Sequence, residues 1–401
     1  MPDAVSPLTR HSDERLFTTP FVVMCGFSFT VFLSAFQLFP TAPFRILDLG
    51  GSKTTAGLFL GFLTYASAAS APFTGALADR VGARRTLIVC SAALTLLGAA
   101  YGIGASSTVM LGLALLHGVF WSGLLSASGA YALALMPPSR RAEGLSYWGL
   151  APTLAIAVAP TVGLLIYRHG WLALCVSVGV LNFAMATIAW FLPPEHHHGV
   201  HRRSPGVSGR SWSRAIEWRV TVAAIALFLC AFGYGGVTSF VALLTESRGI
   251  SPRGMFFILF AATIICTRPF VGRLADRVGP LRVLVPCLAL ASAGYAILAI
   301  EGGRLWLALA AIVFGVGFGS TYSVFLAYVM AHIDASRRAA AFGGVLAAVD
   351  TGIGTGSMLL GWVIDHVGFS AAYGAASLVS LCSIPYLLLV ATRVLRGRHG
   401  V

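Results

Sequence analysis

Apolar stretches about 20 residues long recur from residue 19 to residue 392, separated by short polar breaks rich in charge, glycine and proline. Within them the apolar residues do not keep to one helical face: "LIVCSAALTLLGAAYGIGA", 87–105, is apolar all round. Wound as a helix, a stretch of that length and evenness crosses the roughly 30 Å hydrocarbon core of a bilayer. A transmembrane barrel would instead show short segments alternating apolar with polar residues. Twelve helical spans are predicted, at 19–43, 54–74, 85–104, 107–133, 143–166, 170–192, 219–244, 253–272, 281–300, 304–331, 340–365 and 370–392. The expected organisation is a tail at 1–18, a six-helix bundle at 19–192, a linker at 193–218, a second bundle at 219–392 and a tail at 393–401. The start, "MPDAVSPLTRHSDERL", lacks the apolar core of a cleavable signal peptide, so the first span is expected to direct insertion.

With 57% hydrophobic and 10% charged residues, the composition is that of an all-α integral membrane protein rather than a soluble domain. The net charge of +13 raises nucleic acid as a partner, but the positions of the 27 basic residues account for it as topology. If both termini are cytoplasmic, only Arg45, Lys53, Arg168, Arg248, Arg253 and Arg304 fall outside, and the other 21 lie inside. The expected setting is the lipid bilayer of a bacterial inner membrane, with no nucleic acid partner. Seven cysteines, Cys25, Cys90, Cys175, Cys230, Cys266, Cys287 and Cys382, all fall within spans without metal-ligand spacing, so no metal or cofactor is expected.

Four charges crowd into "GALADRVGARR", 75–85, and nearly the same string returns as "GRLADRVGPLR", 272–282. An offset of 197 pairs Pro72 with Pro269, Gly75 with Gly272, Asp79 with Asp276, Arg80 with Arg277, Gly82 with Gly279 and Arg85 with Arg282. The same offset joins Gly118 to Gly315, Tyr131 to Tyr328 and "SRR" at 139–141 to 336–338. One shift holding across loops and spans marks two duplicated halves, a sequence sign of secondary transporters.

The "GxLADRxGxRR" string between the second and third spans, echoed between the eighth and ninth, resembles that of the major facilitator superfamily. "HGVFWSG", "RRAEGLSYWG" and "AFGYGGVTSFVALL" are similar to the arabinose-efflux-like and drug-efflux-like bacterial branch, which includes metallophore exporters. The resemblance implies the major facilitator fold, two pseudo-symmetric six-helix bundles, and a small-molecule substrate. It further implies that Asp79 engages the cytoplasmic end of the eleventh span, after Arg337 and Arg338, and latches the outward-facing state. The latch candidates are Gly75, Asp79, Arg80, Gly82, Arg84 and Arg85, with Gly272, Asp276, Arg277, Gly279 and Arg282 in the second copy. Gly75 and Gly82 allow tight turning and close helix approach, and a carboxylate at a helix start contributes about 0.3–1 kcal/mol. Topogenic arginines are the other reading of this string, though topogenesis needs no acid.

Of fourteen acidic residues, thirteen fall in loops, tails or helix ends; Asp350, in "AAVDTGIGTGS", does not. It lies about 15 Å into the eleventh span, where low dielectric favours the neutral acid, as a proton-coupling site requires. A structural pairing with Arg268, placed at the end of the eighth span, or with a neighbouring hydroxyl across the packed helices is one alternative, and direct substrate contact is another. His117, at similar depth in the fourth span, is a second proton candidate or a hydrogen-bonded core histidine. Two departures from the family count against standard proton antiport: Ala114 stands where an arginine is common in the fourth span, and Gln37 where an acid is common in the first.

In the fifth span "AIAVAPTVGL" keeps Pro160 and Gly163 of the family's GxxxGPxxGG element, preserving small-residue packing. The first, fourth, seventh and tenth spans line the cavity in the resemblance, with Gln37, His117, Trp121, Tyr234, Thr238, Tyr322 and Tyr328 as substrate candidates or packing residues. That uncharged set suits neutral or amphiphilic molecules better than a polyanion. "EHHHGVHRRSPGVSGR", 195–210, reads as a solvated linker rather than a metal site.

No phosphate-binding loop is present, and no nucleophile–base pair stands out, so neither ATP-driven transport nor an enzyme is expected. The expected function is alternating-access, proton-coupled efflux of a small organic or amphiphilic compound (a drug, metabolite, sugar or metallophore) by a monomer. An importer or uncoupled facilitator is the nearest alternative; a sensor or intramembrane enzyme is more distant.

Overall fold

A computed structural model describes residues 16–194, 217–334 and 337–396; the histidine-rich linker at 195–210 lies outside them. Among the described residues twelve helical spans are long and apolar enough to cross a membrane, and there is no strand. They are built on α1 (Thr19–Leu38), α2 (Lys53–Val81), α3 (Ala83–Ile103), α4 (Ser107–Ala134), α5 (Leu150–Tyr167) and α6 (Trp171–Phe191) in the first half. The second half holds α7 (Trp218–Ser247), α8 (Met255–Val278), α9 (Pro280–Ala299), α10 (Arg304–Met330), α11 (Arg338–His366) and α12 (Phe369–Tyr386).

Local chemistry sets the ends. The Ser52 and Ser106 hydroxyls accept the N–H groups of Thr55 (3.1 Å) and Val109 (3.2 Å), capping α2 and α4. The repeated charged string departs from the expected loop, because Gly75–Val81 and Gly272–Val278 are the last turns of α2 and α8. The turn itself shrinks to Gly82 (φ 99°) and Gly279 (φ 91°), in a left-handed conformation that a side chain would strain. Arg268 is therefore not at a helix end but ten residues before the end of α8, about 15 Å in.

The duplication seen in sequence is also a duplication of contacts. A Cβ on Gly118 of α4 would strike Leu63 and Ala66 of α2; one on Gly315 of α10 would meet Phe260 and Thr263 of α8, each 197 residues on. Inside the first half, Asn182 of α6 accepts from the Ser34 hydroxyl of α1 (2.9 Å) and donates to the Leu94 carbonyl of α3 (3.2 Å). In the second half α7 and α11 pack backbone to backbone: a Cβ on Gly235 would strike the Ile353 carbonyl, and one on Gly356 the Phe232 carbonyl. Gly356→Val is therefore expected to lower the melting temperature of the purified protein sharply, since overpacking costs about 1–3 kcal/mol or more. Gly374→Ala on α12, where a Cβ meets nothing within 4 Å, is the control and should melt like the parent.

Candidate functional site

The two halves meet along α2 and α11, which run antiparallel, each presenting a stripe of small residues to the other. On α2 the stripe is Gly57, Gly61, Ala68, Pro72, Gly75 and Asp79; on α11 it is Gly343, Ala347, Asp350, Gly354, Gly361 and Asp365, at helical spacing throughout. At one end the stripes are locked together. A Cβ on Gly57 would strike the Ser357 carbonyl, one on Gly61 the Met358 side chain, and one on Gly361 would come within 2.6 Å of the Lys53 carbonyl. The Asp365 carboxylate accepts the backbone N–H groups of Lys53 (3.0 Å) and Thr54 (2.6 Å) and the Thr54 hydroxyl (2.6 Å). It thereby satisfies free donors at the α2 N-terminus and faces the positive end of its dipole. The Lys53 ammonium lies over the Phe369 ring at 5.1 Å, and the Arg253 guanidinium of the second half over Phe44 of the first at 5.2 Å.

At the other end, which carries most of the basic residues, the stripes have parted. The Tyr65 and Thr355 hydroxyls share a hydrogen bond at 2.7 Å. Beyond it, Gly75 and Gly343 lie on the same stripes, yet a Cβ on either meets nothing within 4 Å. The α5–α8 contact follows suit: Gly254 touches Thr161 and Leu164 near the closed end, while Gly272 meets nothing. Asp79 and Asp276 are exposed, and among the described residues neither carboxylate makes a hydrogen bond or ion pair. Gly75, expected with Gly82 to let helices approach, makes no close approach in this conformation, and neither does Gly272.

Asp350 sits one helical turn beyond Gly354, between the last contact shown across the seam, Tyr65–Thr355, and the open position at Gly343. It is half-buried and within electrostatic range of Tyr322 on α10. The alternative of an Arg268–Asp350 pair is not realised. The Arg268 guanidinium donates instead to the Ser323 hydroxyl of α10 at 3.4 Å, and the ion pairs among the described residues are Arg140–Glu143, Arg253–Glu246 and Arg337–Glu217.

The other sequence candidates disperse. His117 is buried against Tyr101 of α3, within the first half rather than on the gap. Gln37 is buried near the closed end of α1, where it accepts from Ser177 of α6 (3.2 Å) and packs on Gly163. Gly163 is where α5 approaches α1, since a Cβ there would come within 2.6 Å of the Gln37 carbonyl; Pro160 is buried in the same helix. Trp121 sets its ring edge on Phe32 of α1 (5.2 Å), and Tyr234 stacks on Phe318 of α10 (4.3 Å) with Thr238 buried one turn on. Tyr328 lies at the basic end, lining a recess with Gly279 and Arg282. Arg84 donates to the Ala189 carbonyl (3.3 Å) and to that of Trp190, tying α3 to the end of α6, while Arg80, Arg85, Arg277 and Arg282 are exposed.

Two residues hold positions that local sequence does not mark. In sequence Asp365 is one of the acids at helix ends, although its spacing from Gly354 and Gly361 places it on the same stripe. Arg268 was set at a span end because the charges after it truncated the predicted α8.

Twelve helices in two like halves, meeting at a seam closed at one end, define a membrane transporter fold. The chain belongs to the Major Facilitator Superfamily, whose sequence profile matches residues 22–343 and 223–400. It is 27% identical over 351 residues to an uncharacterized MFS-type transporter of Pseudomonas aeruginosa, covering 84% of each chain. It is 25% identical over 392 residues to another of Burkholderia pseudomallei, covering 92% of each. Among solved structures it is similar in fold to the peptide transporter POT (TM-score 0.73, 16% identity, 96% of this chain and 97% of that one). It is likewise similar to the nucleoside transporter NupG (TM-score 0.68, 14% identity, 96% and 100%).

Proposed function

We propose that the protein is a secondary transporter that works by alternating access and exports a small organic compound in exchange for protons, with Asp350 as the proton-carrying residue. The observation that carries this reading is the α2–α11 seam, locked around Asp365 and open below Asp350. The positive-inside bias makes the open, basic end cytoplasmic, so this conformation faces inward, in a bacterial inner membrane with both termini cytoplasmic. A half-buried carboxylate between the locked and open parts of the seam can take up a proton from one side and, once the seam re-forms below it, release it to the other. The buried position of His117 inside the first half leaves Asp350 as the better placed of the two proton candidates.

The stripes also indicate how the opposite state is held. Closing the basic end brings Gly75 and Gly343 together and carries Asp79, near the end of α2, toward the N-terminus of α11. This mirrors the contact Asp365 now makes with α2. Asp79→Asn is expected to disfavour that outward-facing state, so labelling of periplasmic cysteine reporters should fall; Asp276→Asn should act in the same direction but more weakly. Parental labelling at every reporter would remove the latch role. Direction is tested in oriented vesicles with a compound found by ligand stabilisation of the purified protein. Export driven by an acid-outside gradient supports antiport, and uptake driven by the same gradient would make the protein an importer.

A further inference from the structure

We infer that Arg268 anchors an anionic group of the transported compound, so that the substrates are organic anions with an apolar or aromatic body. This rests on the transporter reading and deepens it. Arg268 shares its α8 face with Phe257, Ala261, Ile264 and Ala275, all buried, while Cys266 and Phe270 on the opposite face are exposed. The guanidinium therefore points into the bundle rather than toward lipid. Arg268, Tyr322 and Asp350 all lie about 12–18 Å from the basic ends of their helices. They occupy one level on α8, α10 and α11, toward which the seam is open.

Arg268 is poorly matched by the protein's own groups. A guanidinium has five N–H donors and a permanent charge. Among the described residues Arg268 has one long hydrogen bond, to a neutral serine, and no ion pair. Intramembrane arginines are rare and usually pair with an anion or face an aqueous path used by one. The planar fork suits a carboxylate or sulfonate. Phe318 and Tyr322 lie one turn apart on α10 beside Ser323, and Phe318 is stacked on Tyr234, providing an apolar wall next to the charge. A lining judged uncharged on sequence thus holds one cation, enough for a monoanion.

The test uses the purified full-length protein and a set of aromatic and aliphatic monocarboxylates and sulfonates, such as 2-naphthoate, each with its neutral amide. Thermal stabilisation and titration calorimetry are read on the parent, Arg268→Lys and Arg268→Gln. Members of the anionic set are expected to bind the parent at least about tenfold more tightly than their amides, the scale of one charge-assisted contact. Arg268→Gln should erase that preference, and Arg268→Lys should keep part of it. If no anion binds, if amides bind equally well, or if Arg268→Gln keeps the preference, the proposal is wrong. Recovery of parental anion preference in Arg268→Gln/Asp350→Asn would also overturn it, by making Arg268 a counter-charge to Asp350. Flux in proteoliposomes separates the two readings. Transport of a neutral or cationic compound with no anion binding removes only the anion anchor. Anion binding without flux of any bound compound removes the transporter reading.

Discussion

Replacing Asp365 with alanine opens the end of the molecule that carries Lys53. The carboxylate accepts three hydrogen bonds from the first turn of α2, 311–312 residues away in sequence, and lies against the positive end of that helix. Hydrogen bonds to a charged acceptor contribute about 1.5–3 kcal/mol each in buried settings, and less in water-exposed ones such as this. Losing all three should cost the inward-facing state roughly 1–2 kcal/mol, a shift of about 5- to 30-fold in its population. Spin labels at the exposed Ile103 and Leu305, at the closed ends of α3 and α10, should report a longer distance. Labels at Leu133 and Ala331, at the basic ends of α4 and α10, should report a shorter one. Asp365→Asn keeps an acceptor but loses the charge, and is expected to fall between. Unchanged distances at both pairs would remove Asp365 from the gate.

Asp350→Asn is expected to abolish gradient-driven transport while leaving substrate exchange in place. Asparagine cannot exchange a proton, so the pH gradient loses its purchase on the cycle. One pH unit is worth about 1.4 kcal/mol per proton, or about tenfold in accumulation ratio, and the variant should bring that ratio to about one. Because Asp350 makes no ion pair among the described residues, the substitution is expected to leave no cation stranded, and the melting temperature should hold or rise. Parental uphill transport by the variant would end the coupling role. A large loss of stability would instead point to a structural partnership in a conformation other than this one.

The two predictions differ in how visible their residues are along the chain. Asp350 stands out because an acid inside an apolar run is conspicuous whatever the fold, since the bilayer penalises charge wherever a helix crosses it. Asp365 does not, because an acid at a helix end is ordinary. Its role comes from a partner more than 300 residues away, beyond anything local spacing can specify. His117 was as conspicuous as Asp350, being similarly far from the start of its helix, but the packing of α4 sets it against Tyr101 rather than on the gap. Depth follows from position along a helix; facing follows from how that helix is packed.

By itself the sequence determined the membrane setting, the twelve helices and the duplication into two halves, because each is written in length, apolarity and a constant offset. These are one-dimensional properties, and the hydrocarbon thickness converts them directly into structure. It also marked Gly82 as a turning point, where only glycine takes a left-handed φ without strain, but it marked Gly75 equally, and Gly75 lies inside α2. Tertiary structure alone decided that the charged repeat is helical up to Gly82 and Gly279, that Arg268 lies inside the bundle without an acidic partner among the described residues, and which end of the α2–α11 seam is closed. Stripes of small residues permit close approach along their whole length, so the same sequence is compatible with closure at either end. The packing in this conformation selects one of them and puts Asp365, rather than Asp79, at the locked end.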